Sequence, residues 1–260
     1  MKKLLVIKIG GNIIDDDSKL SLFLSEFSSI NERKILVHGG GKLATRIAEQ
    51  LGIEQQLIDG RRITDAETLK IVTMVYAGYI NKNIVAILQQ HGCNAIGITG
   101  ADGNAITAHK RIKGDIDYGF AGDIDAVNTS FIDHLLGRGT DIIIAPITHD
   151  KNGQLLNTNA DTIAQEIATA MSRFYEVSLV YGFEKAGVLM DAEKDESVIH
   201  EIDPLLFTKL KADNVIFAGM IPKLDNAFSA IERGVKKVII GKAENISELI
   251  DGKKGTTIRK

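Results

Sequence analysis

The chain has 260 residues, 44% of them hydrophobic and 25% charged, with a formal net charge of -3. This is an ordinary globular balance, long enough for one large domain or two modest ones, and it excludes the basic footprint that nucleic acid or an anionic membrane surface would need. Cys93 is the only cysteine, which rules out an internal disulfide and a cysteine-rich metal site and reads as a soluble protein of a reducing cytoplasm.

The N-terminus resembles a signal peptide only briefly. Lys8 interrupts its apolar run, and Gly10, Gly11, Asn12 and the acidic residues 15–17 follow without a small-residue cleavage site. No other apolar run reads as approaching the length of a membrane span. In chain order, strands are predicted over residues 3–9, 34–37, 95–99, 142–145, 177–181 and 236–240, short runs rich in β-branched residues. Four of them are apolar over most of their length, as strands covered on both faces of a parallel sheet are. Thr64 and Glu67 read as a capping box before a helix over 69–90, and Asn159 as the cap of a helix over 160–171. Between them, residues 105–109 and 122–127 read as a β-hairpin on the edge of the sheet. The alternation predicts an α/β three-layer sandwich with a central, mainly parallel sheet and helices on both faces. No repeat or linker interrupts it, so the division into two lobes is placed near residues 171–175.

Ligands of open parallel sheets bind beyond the carboxyl ends of the strands. Four predicted strands run there into glycine: Gly10-Gly11, Gly39-Gly40-Gly41, Gly100 and Gly241. Any one of these reads equally as a tight turn; several on one sheet edge point to a bound anion, because glycine lets backbone N–H groups approach it closely. None fits the P-loop or the dinucleotide fingerprint.

Two lysines are out of place for a purely structural role. Lys8 lies inside an apolar strand, where burial penalises charge unless it emerges at the strand end. Lys223 follows Pro222, read as the first position of a helix, where a cation opposes the helix dipole unless an anion is present. Asn157, Asn159 and Asp161 alternate, hence share a face if extended, although Asn159 alone suffices as a cap. Arg62, in the run Asp59-Gly60-Arg61-Arg62-Ile63-Thr64, offers a fork suited to a carboxylate, or a solvated loop cation. The six histidines (38, 91, 109, 134, 149 and 200) show no ligand spacing, and no metal is assigned to them.

These pieces resemble the amino-acid-kinase family from residue 3 to nearly the end of the chain. The carriers are Ile7-Lys8-Ile9-Gly10-Gly11, Val37-His38-Gly39-Gly40-Gly41, the Arg61-Arg62 run, Asn157-Thr158-Asn159-Ala160-Asp161 and Gly219-Met220-Ile221-Pro222-Lys223. The last three, in this order, are similar to the members that phosphorylate an N-acylglutamate in arginine biosynthesis. The resemblance implies a lobe over residues 1–172 that binds the acylglutamate and a lobe over 173–260 that binds ATP. By it, Lys8 and Lys223 contact the transferring phosphoryl group and Asp161 orients them. Gly40, Gly41, Arg62, Asn157 and Asn159 hold the acylglutamate. Gly10, Gly11, Tyr181, Gly182, Phe183, Gly187, Met190, Gly219 and Met220 hold the nucleotide. The stretch 181–191 departs from the family's compact turn after the fifth strand and lacks its aspartate.

The acceptor carboxylate is already ionised at neutral pH, so no general base is required. Cations, glycine-loop N–H groups and Mg2+ held mainly by the ATP phosphates meet the need. The other readings are a sister kinase for carbamate, aspartate, glutamate or UMP, or a non-catalytic metabolite sensor. The acyl group is open too: Arg61 beside Arg62 suits an extra carboxylate, as on N-succinylglutamate, if it faces the pocket. A homodimer built on the long helix is expected. Because the first strand starts near Lys3, leaving no N-terminal helix, insensitivity to arginine is expected as well.

Overall fold

The computed structural model describes residues 1–58, 61–191, 194–213 and 220–260. The first half runs β1 (Lys2–Ile9), α1 (Gly11–Ile14), α2 (Asp17–Ser29), β2 (Arg33–His38), α3 (Gly41–Gln50), the short antiparallel pair β3 (Leu57–Ile58) and β4 (Arg61–Arg62), α4 (Ala66–Thr73), a π-helical stretch (Met74–Ile80), α5 (Asn81–Gln90), β5 (Ala95–Ile98), β6 (Ile106–Lys113) and β7 (Ile116–Val127). There follow α6 (Thr129–Gly137), β8 (Asp141–Ile144), β9 (Ile147–His149), β10 (Leu155–Thr158), α7 (Ala160–Met171), β11 (Tyr175–Phe183), β12 (Glu201–Ile202), α8 (Pro204–Ala212), α9 (Ile221–Glu232), β13 (Lys237–Lys242), α10 (Ile246–Ile250) and β14 (Thr256–Ile258).

The main sheet has the order β12-β14-β13-β11-β1-β2-β8-β5. The six strands predicted from the sequence are its parallel block, β13 to β5; β14 joins β13 antiparallel at the far side. Strand residues alternate between two cores. Leu4, Val6, Ile35, Val37, Ile142, Ile144, Val177 and Leu179 face the layer of α6 to α9, whereas Leu5, Ile7, Leu36, Ile143, Val180 and Ile239 face α1 to α5 and α10. Both faces are therefore apolar, which is why these strands read as continuous hydrophobic runs. After β1 the chain adds strands on one side of it and then returns to lay β11 on the other, so a crevice opens beyond the carboxyl ends of β1, β2 and β11.

The expected hairpin forms but not on the edge of this sheet. β6 and β7 pair with β9 and β10 in a small closed barrel of their own. Nothing in the local alternation of residues 105–127 encodes which distant strands complete the pairing. The capping box is also displaced: Asp65 caps α4, accepting from Thr68 N at 2.7 Å. Thr64 is instead buried in a bridge to Gly119. Pro222 stands one residue later than expected, after Ile221 opens α9. The helix Ala66–Gln90 has the length and apolar composition of a membrane span, contrary to the sequence reading. Its Leu69, Val72, Ile80, Ile84 and Leu88 are buried in the core.

Candidate active site

Lys8 falls on the α7-facing side of β1, in phase with Leu4 and Val6, and two residues before the strand gives way to Gly10. Only 8% exposed, it brings its ammonium out at the sheet's carboxyl edge. There Asp161, in the first turn of α7, puts Oδ1 2.8 Å from Lys8 Nζ. The pair is an ion contact, and that buried oxygen has no hydrogen-bond partner among the described residues. Asn159 holds the start of α7 by accepting from Thr162 N at 3.0 Å.

Lys223 arrives from the opposite side, in the first turn of α9, which carries no acid there. Its Nζ lies 3.9 Å from the centroid of the Phe183 ring, and Lys8 Nζ lies 5.8 Å from the same ring. Although Lys223 as a residue is exposed, its ammonium is crowded. Desolvation pulls its pKa below the usual lysine range, with Lys8 pushing the same way and Asp161 and Glu184 opposing. The two cations are thus assembled around one carboxylate and one aromatic face.

Beyond β2, Gly39 N donates to Ile9 O at 3.0 Å, fastening this loop to the end of β1. Gly40 has φ 148°, and a Cβ there would collide with Ile80 and press on Tyr76 at 3.0 Å. Both of those residues come from the π-helical stretch, so that wide turn packs directly beneath the loop. His38 is fully buried behind it. Its Nδ1 donates to Gly39 O at 2.8 Å and its Nε2 accepts from Asn81 at 3.2 Å; burial lowers its pKa to about 4, so the ring is neutral.

Arg62, 8% exposed, donates through Nη2 to Gly41 O and Thr45 Oγ1, both at 2.9 Å, and through Nη1 to Gln55. Asn157 donates to Thr64 Oγ1 at 3.0 Å, and Thr64 donates in turn to Arg62 O at 3.0 Å. Arg62 and Asn157, together with Gly39 to Gly41, Tyr76 and Asn159, line a cavity of about 180 Å³. It shares Gly41 and Arg62 with a cleft of about 560 Å³ lined by Gly10, Gly11, Asn12, Lys42, Gly182, Phe183 and Glu184. Phe183 and Glu184 then lead into a third space of about 210 Å³, bounded by Gly187, Met220, Lys223 and Ile240. The three adjoin one another along the crevice.

Most of the residues singled out from the sequence meet here. Tyr181 does not: it is buried in the core, where burial and Asp161 raise its hydroxyl pKa, and only its neighbour Phe183 reaches the cleft. Met190 is exposed and lines none of the three cavities. Gly219, with Asp59 and Gly60 of the arginine run, lies outside the described residues. Gly241 is inside β13 rather than in a loop, and the turn at Gly100 donates its N–H to Ile147 O, toward the small barrel. Residues that the sequence reading passed over include Lys42, which donates to Asn12, and Thr45, Gln55 and Tyr76. Lys42 and Asn12 directly follow the glycine loops and were findable on that ground. Tyr76 carried no such signal.

Fold and cleft define a three-layer α/β protein that gathers cations where two anionic groups can meet. The chain belongs to the amino acid kinase family, whose sequence profile matches residues 3–242. It is 58% identical over 255 residues to the acetylglutamate kinase of Cytophaga hutchinsonii, covering 98% of this chain and 97% of that protein. It is 54% identical to the acetylglutamate kinase of Phocaeicola vulgatus, over 100% of this chain and 99% of the relative. Among solved structures, smu.665 from Streptococcus mutans UA159 superposes with a TM-score of 0.79 at 27% identity, over 99% of this chain and 98% of that one.

Proposed function

We propose that the protein is an ATP-dependent acetylglutamate kinase. It transfers the γ-phosphoryl group of ATP to the γ-carboxylate of N-acetyl-L-glutamate, giving N-acetylglutamyl 5-phosphate in arginine biosynthesis. The relatives' name supports the substrate at 58% and 54% identity over nearly the whole chain. The observation that carries the chemistry is the convergence of Lys8 and Lys223 on Asp161 and Phe183, next to the pocket of Arg62.

The acceptor is ionised at neutral pH, its unperturbed pKa being about 4.3. The barrier is therefore repulsion between a carboxylate and a triphosphate, which positioning and fixed positive charge reduce. Arg62 and Asn157 hold the acylglutamate in the small cavity, with Gly40 and Gly41 against its γ-carboxylate. A carboxylate oxygen forms the new bond to the γ-phosphorus while the bond to the β,γ-bridging oxygen breaks, its electron pair leaving with ADP. Lys8 and Lys223 stabilise the charge on the oxygens in between, and Asp161 fixes both ammoniums. The nucleotide occupies the space bounded by Gly187, Met220, Phe183 and Glu184, making residues 173–260 the ATP lobe and 1–172 the acylglutamate lobe. Among the described residues no cluster of three His, Cys, Asp or Glu side chains is placed to bind a metal, a donor set that suits Mg2+ brought by the triphosphate and its water. Bound there, Mg2+ would offset charge on the phosphates.

The protomer is read as half of a homodimer. Met74 and Tyr79, on the outer side of the Ala66–Gln90 helix, are 60% and 65% exposed. Light scattering showing a dimer, lost in Tyr79→Glu, is the expected result, and a monomer or hexamer would refute it. The activity is tested by ADP release with N-acetylglutamate, glutamate, aspartate, carbamate and UMP as acceptors, the acyl phosphate being trapped by hydroxylamine. ADP release and hydroxamate with the acylated acceptor are expected. Release with another acceptor in its place, or none, would overturn the proposal.

A further inference from the structure

The first turn of α3 carries no acid and presents Lys42. A cation there opposes the helix dipole, and Arg46, one turn on, adds a like charge at i,i+4 on the same face. Both line the 560 Å³ cleft beside the β1–α1 loop. Among the described residues neither enters an ion pair, and Lys42 donates only to the side chain of Asn12. Desolvation raises the pKa of Asp15 against the pull of Lys42 and Arg46, so this neighbour is disfavoured as the anion that would pair them.

Lys42 lies across the loop that the kinase reading gives to the nucleotide. Its Cγ and Cδ run 3.7 and 3.9 Å from where a Cβ on Gly11 would stand, and Lys8 Nζ is 3.7 Å from the same point on Gly10. Two consecutive glycines thus each have a lysine against them, Lys8 from β1 and Lys42 from α3. Lys42 does not line the small cavity around Arg62 and Asn157, so its charge serves the nucleotide side of the crevice rather than the acylglutamate. Its present acceptor is a neutral amide, whereas a phosphate oxygen gives an ammonium a hydrogen bond charged at both ends, the strong kind.

We propose that Lys42 exchanges Asn12 for the terminal phosphate of ATP above Gly10 and Gly11, a third lysine that binds the donor in the ground state. The proposal rests on the kinase reading above. Lys8 is buried and held at Asp161, while Lys42 is exposed and reaches across the cleft on its own stem. Lys42 therefore contributes to holding the triphosphate, and transfer is left to Lys8 and Lys223.

The test is calorimetric titration of the wild type, Lys42→Met and Lys42→Arg with Mg-ADP and with the non-hydrolysable analogue Mg-AMP-PNP, without acceptor. Only the analogue carries a terminal phosphate. In Lys42→Met its dissociation constant should rise about 10- to 100-fold, the scale of a hydrogen bond to a charged group, while that of ADP stays at the wild-type value. Lys42→Arg keeps the charge and should recover part of the loss. A circular dichroism melt matching the wild type excludes misfolding; if Lys42→Met melts early, Lys42→Gln takes its place. An unchanged analogue affinity would overturn the inference and leave the kinase reading standing. Equal weakening of ADP and the analogue would also overturn it, since a merely structural role would move both. Failure of the wild type to bind either nucleotide would instead defeat the kinase reading, and this inference with it.

Discussion

Lys8 leaves the end of β1 and Asp161 opens α7, and 2.8 Å separates Nζ from Oδ1. The carboxylate side chain is 43% exposed and the ammonium side chain 10%, so the contact contributes little to stability after solvent screening. Its use is directional, since one charge restrains Lys8 and attracts Lys223. Asp161→Asn keeps the shape and removes that charge. It should lower kcat by about 10²-fold, the scale on which preorganised charge acts, with the thermal midpoint little changed. A fall in KM-limited binding alone, with kcat intact, would contradict this.

Arg62 makes its contacts to Gly41, Thr45 and Gln55 in the resting protein, so its fork is preformed rather than assembled during reaction. Interactions made equally in the ground and transition states appear in KM. Arg62→Ala should raise KM for the acylglutamate by about 10- to 100-fold, as lost hydrogen bonds to a charged group do, with a smaller effect on kcat. Steady-state kinetics at saturating ATP measure both.

Gly40 cannot be replaced without cost. Its φ of 148° is one that L side chains rarely adopt, and the Cβ would meet Ile80 and Tyr76 in the π-helical stretch. Gly40→Ala should destabilise the fold by about 1–3 kcal/mol, the scale of a strained backbone position, seen as a lower urea midpoint. Gly52, where the added Cβ meets nothing within 4 Å, serves as the control for positive φ alone, and Gly52→Ala should cost less.

The parallel block of the sheet was legible because its strands are apolar on both faces, and Lys8 and Lys223 stood out against that background by charge. Asp161 was legible through the cap at Asn159. The hairpin's partners were not, since β9 and β10 lie some distance along the chain and pairing leaves no local mark. Tyr181, expected at the nucleotide, is buried in the core beside Lys8 in the sheet register, and Phe183, two residues on, is the one that reaches the cleft. Tyr76 depends on a π turn beneath Gly40 that no residue pattern announces.

The lowered pKa of Lys223 sets a pH dependence. The ammonium is the useful form, so kcat should fall as pH rises through the folded-state pKa, which lies below the usual lysine value of about 10.4. Glu184 supports the protonated form, and its removal takes that support away. In Glu184→Gln the alkaline limb of kcat should therefore move to lower pH. A limb that stays put or moves up would show that Lys223 does not govern it.

In the proposed mechanism, Lys8 and Lys223 act on charge only as the phosphoryl group moves. The direct measurement is kcat and KM for ATP in Lys8→Ala and Lys223→Ala, with Lys→Arg at each site as a companion. Loss of one preorganised donor should lower kcat by about 10²- to 10³-fold, roughly 3–4 kcal/mol, with KM for ATP little changed. Arginine should rescue poorly, because its planar fork does not replace a compact ammonium over the Phe183 ring. A raised KM for ATP with kcat near the wild-type value would make the lysines ground-state binders and contradict the mechanism.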